Sequence, residues 1–436
     1  MIKDMERKLP EGGKKGLSEY PGKPMGVYVH IPMCVKKCLY CDFYSVPLGD
    51  LRGGKSGCSG EISQEGRYQL ISALCREIKF VSQYYTDNVP EYKAERRRVD
   101  TVFFGGGTPS LLTGEEMNLI LSSLRDSFYI LPECEITAEC NPATADVEKL
   151  KAYRKAGINR LSIGAQSFDD GVLKTLGRIH DSKAIFDTVS IARKSGFDNV
   201  SLDLMFGIPG QTFDLWRETV SCAINLQPEH ISMYSLEFMA GTPFDDMRLT
   251  GNMKETDPET DRTMYEYALE EFAKAGFIQY EISNLAKDGY QCKHNLKYWD
   301  LSEYIGIGPA AHSFMTGKRY SNVADIEKYV TGVDASLREN RKLLSGPPWN
   351  WNDFCHQNSL QDSASEFMFT GLRKNQGITF DDFEEVIGSP FKDIFPEASE
   401  ELKQYVAAGD LVADGRGIRL TPKGMNISNR IMAIFV

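Results

Sequence analysis

Short apolar runs alternate with longer amphipathic stretches through the first half of this chain. Runs of strand length lie at Gly26–Ile31, Val99–Phe104, Glu135–Glu139, Arg160–Gly164, Asn199–Met205 and His230–Ser235. Between them, Arg67–Tyr85, Glu115–Asp126, Asp146–Ala156, Ser182–Ser195 and Phe213–Asn225 read as helices. Strands that each lead into a helix predict a parallel α/β sheet. Six such units fall short of the eight that close a barrel, so an open, partial (β/α)6 barrel is expected.

Beyond Pro243 the pattern changes. A long helix is expected at Asp257–Ala275 and a strand at Gly276–Asn284, followed by Cys292-Lys-His-Asn-Leu-Lys-Tyr-Trp299. Pro347–Asn350 reads as a linker. Helices at Ser363–Lys374, Phe380–Val386 and Ser399–Ala407 precede Leu411–Leu420, a hairpin with a Gly-rich turn. Such an order predicts a small, mostly helical, winged-helix-like C-terminal domain. The expected division is a flexible leader at 1–24, a barrel at 25–245, an extension at 246–345 and a C-terminal domain at 346–436. Gly- and Ser-rich Leu48–Gly66 reads as a loop within the barrel, and charged Glu91–Arg98 leads into the second strand.

Composition narrows the function. No apolar run is long enough for a transmembrane helix, which leaves peripheral membrane contact and a monomer or dimer open. The first 24 residues lack the apolar stretch of a signal peptide. Ten cysteines without such a peptide point to a reducing, cytoplasmic compartment, where thiols serve metals. The net charge of −11 contains no basic block, and residues 350–436 carry eight basic against thirteen acidic groups. Nucleic acid is therefore excluded as the expected partner.

One stretch carries the chemistry: His30-Ile-Pro-Met-Cys34-Val-Lys-Lys-Cys38-Leu-Tyr-Cys41-Asp-Phe43, on a loop after the first strand. Three thiolates spaced C-x3-C-x2-C can hold three corners of a [4Fe–4S] cube and leave the fourth iron open. A Cys3His zinc site with His30 is the competing reading, although zinc ligands more often come as two distant pairs. In parallel α/β folds ligands gather at the carboxyl ends of strands. There stand Gly105-Gly-Gly-Thr108-Pro109, whose glycine backbone can approach a ligand closely, then Glu139, Gln166 and Asp203. Asp203 interrupts an apolar strand, and an acid in that setting needs partners. Arg178 follows Gln166 in a loop. Farther on, His294 is a candidate haem ligand with Tyr298 and Trp299 beside it, set against a structural histidine that pins its segment to the barrel.

The cysteine spacing resembles the signature of the radical S-adenosylmethionine (SAM) superfamily, in which the open iron chelates SAM and the cluster's electron cleaves it. Tyr28–Phe43, Phe104–Ser110, Leu161–Phe168 and Asp203–Thr212 together closely resemble the oxygen-independent coproporphyrinogen III oxidase family. The resemblance runs from about Gly26 to the C-terminus. It implies a [4Fe–4S] cluster on Cys34, Cys38 and Cys41 and a SAM touched by Tyr28, Gly107, Thr108, Pro109 and Glu139. Tyr40, Gln166, Arg178 and Asp203 correspond to a second SAM site of the oxidase branch. That branch carries a fourth cysteine two residues after the third, where this chain has Phe43, and a longer region before the cluster. His294-Asn-Leu-Lys-Tyr-Trp299 instead resembles the HNxxYW motif of the haem-chaperone branch. The resemblance thus implies haem as ligand and haem-accepting proteins as partners, with SAM either cleaved or only bound. Oxidative decarboxylation of coproporphyrinogen III is the alternative.

Overall fold

The computed structural model describes residues 23–48, 62–89, 96–338 and 347–436. Residues 1–22 of the expected leader, 49–61 of the expected loop, 91–95 of the charged lead-in and 339–345 of the expected extension lie outside the described residues.

Six parallel strands form where the apolar runs lie: β1 Met25–Ile31, β2 Arg98–Gly106, β3 Tyr129–Cys140, β4 Arg160–Gln166, β5 Val200–Phe206 and β6 His230–Ser235. They belong to a larger sheet. The expected strand at Gly276–Asn284 is two short strands, β7 Ile278–Glu281 and β8 Asn284–Ala286, antiparallel to each other. Four more follow: β9 Tyr304–Ile307, β10 His312–Met315, β11 Lys318–Asn322 and β12 Asn352–Gln357. The resulting order is β12-β11-β10-β9-β1-β2-β3-β4-β5-β6-β8-β7, an open sheet among the described residues. Since β9 pairs with β1 in parallel, the parallel core has seven strands rather than six. A four-residue strand whose partner lies far earlier in the chain leaves no periodic signal of its own.

Side chains alternate along the central strands, as the period of two demands. In β1, Met25, Val27, Val29 and Ile31 are fully buried under the outer helices. Between them, Tyr28 and His30 face inward and bond to each other. The same division holds in β4 and β5, where Leu161, Ile163, Leu202 and Leu204 join the outer core. Ser162, Ser201 and Asp203 meet on the inner face. The fold therefore wraps a polar lumen, and its main apolar core lies between sheet and helices.

A buried carboxylate ties the extension to this core. Glu77 lies on the helix Gln64–Asn88 and is 1% exposed. One of its oxygens accepts from Gly308 N at 2.7 Å and Tyr329 Oη at 2.5 Å. The other accepts from Asn322 Nδ2 and Trp351 Nε1, each at 2.8 Å. The expected linker at Pro347–Asn350 is thus no free tether. Trp351 is fully buried, Trp349 stacks on it at 5.3 Å, and the main sheet runs on through Gln357.

The last part of the chain is mostly helical. Its main helices, Leu360–Gly371, Phe380–Ile387 and Ala398–Ala407, surround a three-stranded sheet of Ile378–Thr379, Leu411–Ala413 and Gly417–Leu420. The last two strands form the expected hairpin. Its apolar cluster includes Leu301, Tyr304 and Phe314 from the extension, so this unit shares its core with the barrel. Arg373 lies 4.4 Å over the Trp299 ring and reinforces that contact. No helix among the described residues is long and apolar enough to cross a membrane.

Candidate functional site

The cysteine loop leaves the carboxyl end of β1 and is held from three sides. Its own return strand comes first: Val46 N donates to Pro32 O at 2.7 Å and Leu48 N to Cys34 O at 2.8 Å. Next, the turn after β2 donates from Gly107 N to Ile31 O and from Thr108 N to Met33 O, at 2.9 and 2.7 Å. Finally, Leu39 N donates to Leu176 O at 3.2 Å, beyond β4, while Phe244 N donates to Leu39 O at 3.1 Å. The glycine turn owes its composition to this docking. A Cβ on Gly107 would lie 2.6 Å from Met33 O, and one on Gly106 would lie 2.4 Å from the His30 ring. Much of the room that the glycines leave is taken by the protein's own loop and histidine. Pro109 opens a buried turn, and its carbonyl accepts from Tyr153 Oη at 3.1 Å.

Each thiol of the triplet has a hydrogen-bond donor. Thr108 Oγ1 donates to Cys34 Sγ and Arg178 Nη1 to Cys38 Sγ, both at 3.5 Å, and Phe43 N–H donates to Cys41. Burial, aided by the other two thiols, pushes the Cys41 thiol up to about 11, so metal uptake would displace its proton. Tetrahedral zinc needs every ligand within about 2.3 Å, whereas a cube spreads three thiolates over three irons. His30 does not complete a zinc set either. Its Nδ1 bonds Tyr28 Oη at 3.0 Å and its Nε2 bonds Tyr44 O at 2.8 Å. Burial lowers its pKa to about 4 and keeps it neutral. The donor chemistry fits a cluster better than an ion.

Tyr40, Gln166 and Arg178 come together beside Cys38. Arg178 Nη2 donates to Gly164 O at 2.9 Å, and the guanidinium also meets the Tyr40 phenol. Gln166, at a left-handed φ of 58°, folds its amide back toward Gly164. A second group lies lower in the lumen. Asp203 accepts from Ser162 Oγ at 3.0 Å and from Ser232, and faces the buried Arg160. Glu139 takes a hydrogen bond from Gly106 N–H, yet burial and the neighbouring Asp203 push it up to about 8. Such a carboxyl is poised to accept a cationic or hydroxyl-bearing ligand. Ser162, Ser232 and Arg160 were missed by sequence reasoning. The available signal was polar residues at every second position of β4 to β6, opposite the apolar set.

The Glu139 environment has a pH consequence. Its pKa is raised on folding, so the folded protein holds a proton that the unfolded chain releases. The associated stability is full below about pH 4.5 and is lost as pH rises through about 8. Glu139→Gln is expected to flatten the fall of melting temperature between about pH 5 and 8. Parallel curves for variant and parent would contradict this.

His294 stands apart. It lies on the short helix Lys293–Trp299, near Gly26 and Thr101 at the amino ends of β1 and β2. The cysteine loop is five residues along β1, roughly 16 Å away at about 3.3 Å per residue. Thr101 Oγ1 holds His294 Nδ1 and Tyr298 Oη holds Nε2, each at 2.9 Å. Phe103 stacks on the ring at 5.4 Å, and burial lowers the pKa to about 3. Both ring nitrogens are bonded to the protein here, the arrangement of the structural alternative, in which the residue pins its helix beneath the lumen. Glu135 completes that anchor by accepting from Lys293 N and His294 N, at 3.2 and 3.3 Å. His294→Ala is expected to cost about 2–3 kcal/mol in urea unfolding, from two lost hydrogen bonds and a cavity. Parental stability combined with an altered haem spectrum would favour the ligand reading instead.

An open parallel sheet with a three-cysteine loop at the carboxyl end of its first strand defines the class. The radical SAM superfamily profile matches residues 28–223, and the HemN C-terminal domain profile matches 358–427. Over nearly full length the chain is similar to the heme chaperone HemW of Bacillus subtilis, with 32% identity across 94% of this chain and 98% of that protein. The Escherichia coli heme chaperone HemW is 37% identical over 67% of this chain and 71% of its own. The chain belongs to the HemW family of the radical SAM superfamily. Its fold matches coproporphyrinogen III oxidase (HemN) from Escherichia coli, with a TM-score of 0.76 at 22% identity, covering 96% of this chain and 91% of that one.

Proposed function

We propose that this protein is a cytoplasmic haem chaperone that binds haem and delivers it to haem-dependent proteins. The observation that carries the reading is the near full-length relationship to proteins named heme chaperone HemW. Phe43 supports it. This residue is 62% exposed at the position where the resembling oxidases have a fourth cysteine, so the loop offers no further thiol there.

Cys34, Cys38 and Cys41 would hold a [4Fe–4S] cluster. Tyr28, the Gly107–Pro109 turn and Glu139 would bound a SAM beside it, while Tyr40, Gln166 and Arg178 would line the adjoining part of the mouth, with Asp203 lower in the lumen. Such a cluster supplies one electron when reduced. The protein's own share is to hold the loop from three sides and to offer a protonated Glu139 near Asp203. The reading takes no ligand from His294.

The test is anaerobic reconstitution followed by two measurements. Addition of haem should give a saturable Soret band and transfer to an apo-haem protein. Incubation with SAM, a reductant and coproporphyrinogen III should give no catalytic vinyl product. Turnover in the second assay without haem binding in the first would replace the chaperone by the oxidase.

A further inference from the structure

The three cysteine sulfurs differ in what donates to them. Cys34 has a neutral hydroxyl and Cys41 a neutral backbone N–H. Cys38 alone has a guanidinium, from Arg178. A donor with a full charge makes a stronger hydrogen bond than a neutral one.

The fold holds this contact from both sides. At the end of β4 the backbone turns through Gln166 and the short helix Asp170–Thr175, then comes back against the cysteine loop. Gly177, at a φ of +74°, makes the approach: a Cβ there would lie 2.9 Å from Leu39 Cγ. The backbone bond from Leu39 N to Leu176 O fixes the register one residue before. Arg178 then has Nη2 on Gly164 O and Nη1 on Cys38 Sγ, with Tyr40 alongside. The guanidinium thus bridges β4 and the cysteine loop through its two terminal nitrogens, while its Nε is buried without a hydrogen-bond partner among the described residues.

We propose that Arg178 is a positioning residue that sets the reduction potential of the metal centre through the Cys38 sulfur. The inference rests on the reading that the three cysteines hold a [4Fe–4S] cluster. Reduction by a low-potential one-electron donor adds one negative charge, shared with the ligand sulfurs. A cation bonded to one of those sulfurs stabilises the reduced state more than the oxidised one and raises the potential. Arginine stays protonated at all working pH values, so the electron arrives without a proton at this residue. This role differs from contact with a second SAM, which the resemblance implied for Arg178.

The experiment compares reconstituted parent, Arg178→Gln, Arg178→Lys and Thr108→Val proteins, counting iron and sulfide first. The midpoint is then read by potentiometric titration with EPR detection, in the absence of SAM. At the parent's midpoint, Arg178→Gln should lower the ratio of reduced to oxidised cluster about tenfold, equivalent to ~59 mV for one electron. Arg178→Lys and the neutral-donor control Thr108→Val should each lower it less. A full cluster with an unchanged midpoint in Arg178→Gln would overturn the proposal, whether or not SAM affinity had fallen. Loss of iron from both Arg178 variants would overturn it too, by making the residue a scaffold. A parent protein that takes up no four-iron cluster would instead defeat the underlying site reading.

Discussion

Alanine in place of Cys34, Cys38 or Cys41 is expected to leave a folded protein that no longer retains four irons. Each thiolate would hold a separate iron, so one missing sulfur opens a second corner of the cube to solvent. Folding should survive, because the backbone, not the thiols, docks this loop. Bonds from Val46 N, Thr108 N and Leu39 N hold the loop, and all three remain in every single variant. Only Cys34 is buried; Cys38 and Cys41 are partly exposed, so truncation leaves no large cavity. Iron and sulfide analysis after anaerobic reconstitution checks the first half, and urea unfolding of the iron-free proteins the second. A variant that keeps four irons would place the ligands elsewhere. A collapse of the iron-free fold would show that the thiols themselves are structural.

Glu77→Leu is expected to destabilise the protein by about 3–5 kcal/mol. Four donors converge on this carboxylate, from Gly308, Asn322, Tyr329 and Trp351, and the residue is 1% exposed. An apolar replacement strands all of them away from water, and each unmatched group costs about 1–3 kcal/mol before relaxation. Burial lifts the carboxyl to about 7, and the four donors hold it from rising further. Glu77→Gln keeps the shape but turns one acceptor into a donor, so about 1–3 kcal/mol is expected. Urea midpoints at constant m-value measure both. A loss under about 1 kcal/mol for Glu77→Leu would mean that water reaches the cage.

Much of the barrel and the metal loop was legible because its signals are local. Three thiols within eight residues mark a candidate metal loop by their spacing, and β1 to β6 announce themselves as apolar runs separated by capped helices. Thr113 with Glu116, for example, forms a capping box at the start of Gly114–Ser127. Signals that join distant segments were not legible. Strand β9 is four residues long and acquires meaning only by pairing with β1. The Trp349 and Trp351 stretch looked like a linker because its proline pair was visible, while the carboxylate that receives Trp351 lies far away on the helix of Glu77.

The site divides in the same way. Sequence by itself determined where the candidate loop motifs lie, at the carboxyl ends of the strands, since a loop motif has to follow its strand. Only the tertiary structure decided what each polar side chain faces. It put Arg178 on Cys38, set Glu139 against Asp203, and closed both nitrogens of His294 between Thr101 and Tyr298. A histidine's ligand role depends on a free nitrogen, and hydrogen-bond partners contributed by other strands and helices are set by register and packing. Neither is written in the spacing of a motif.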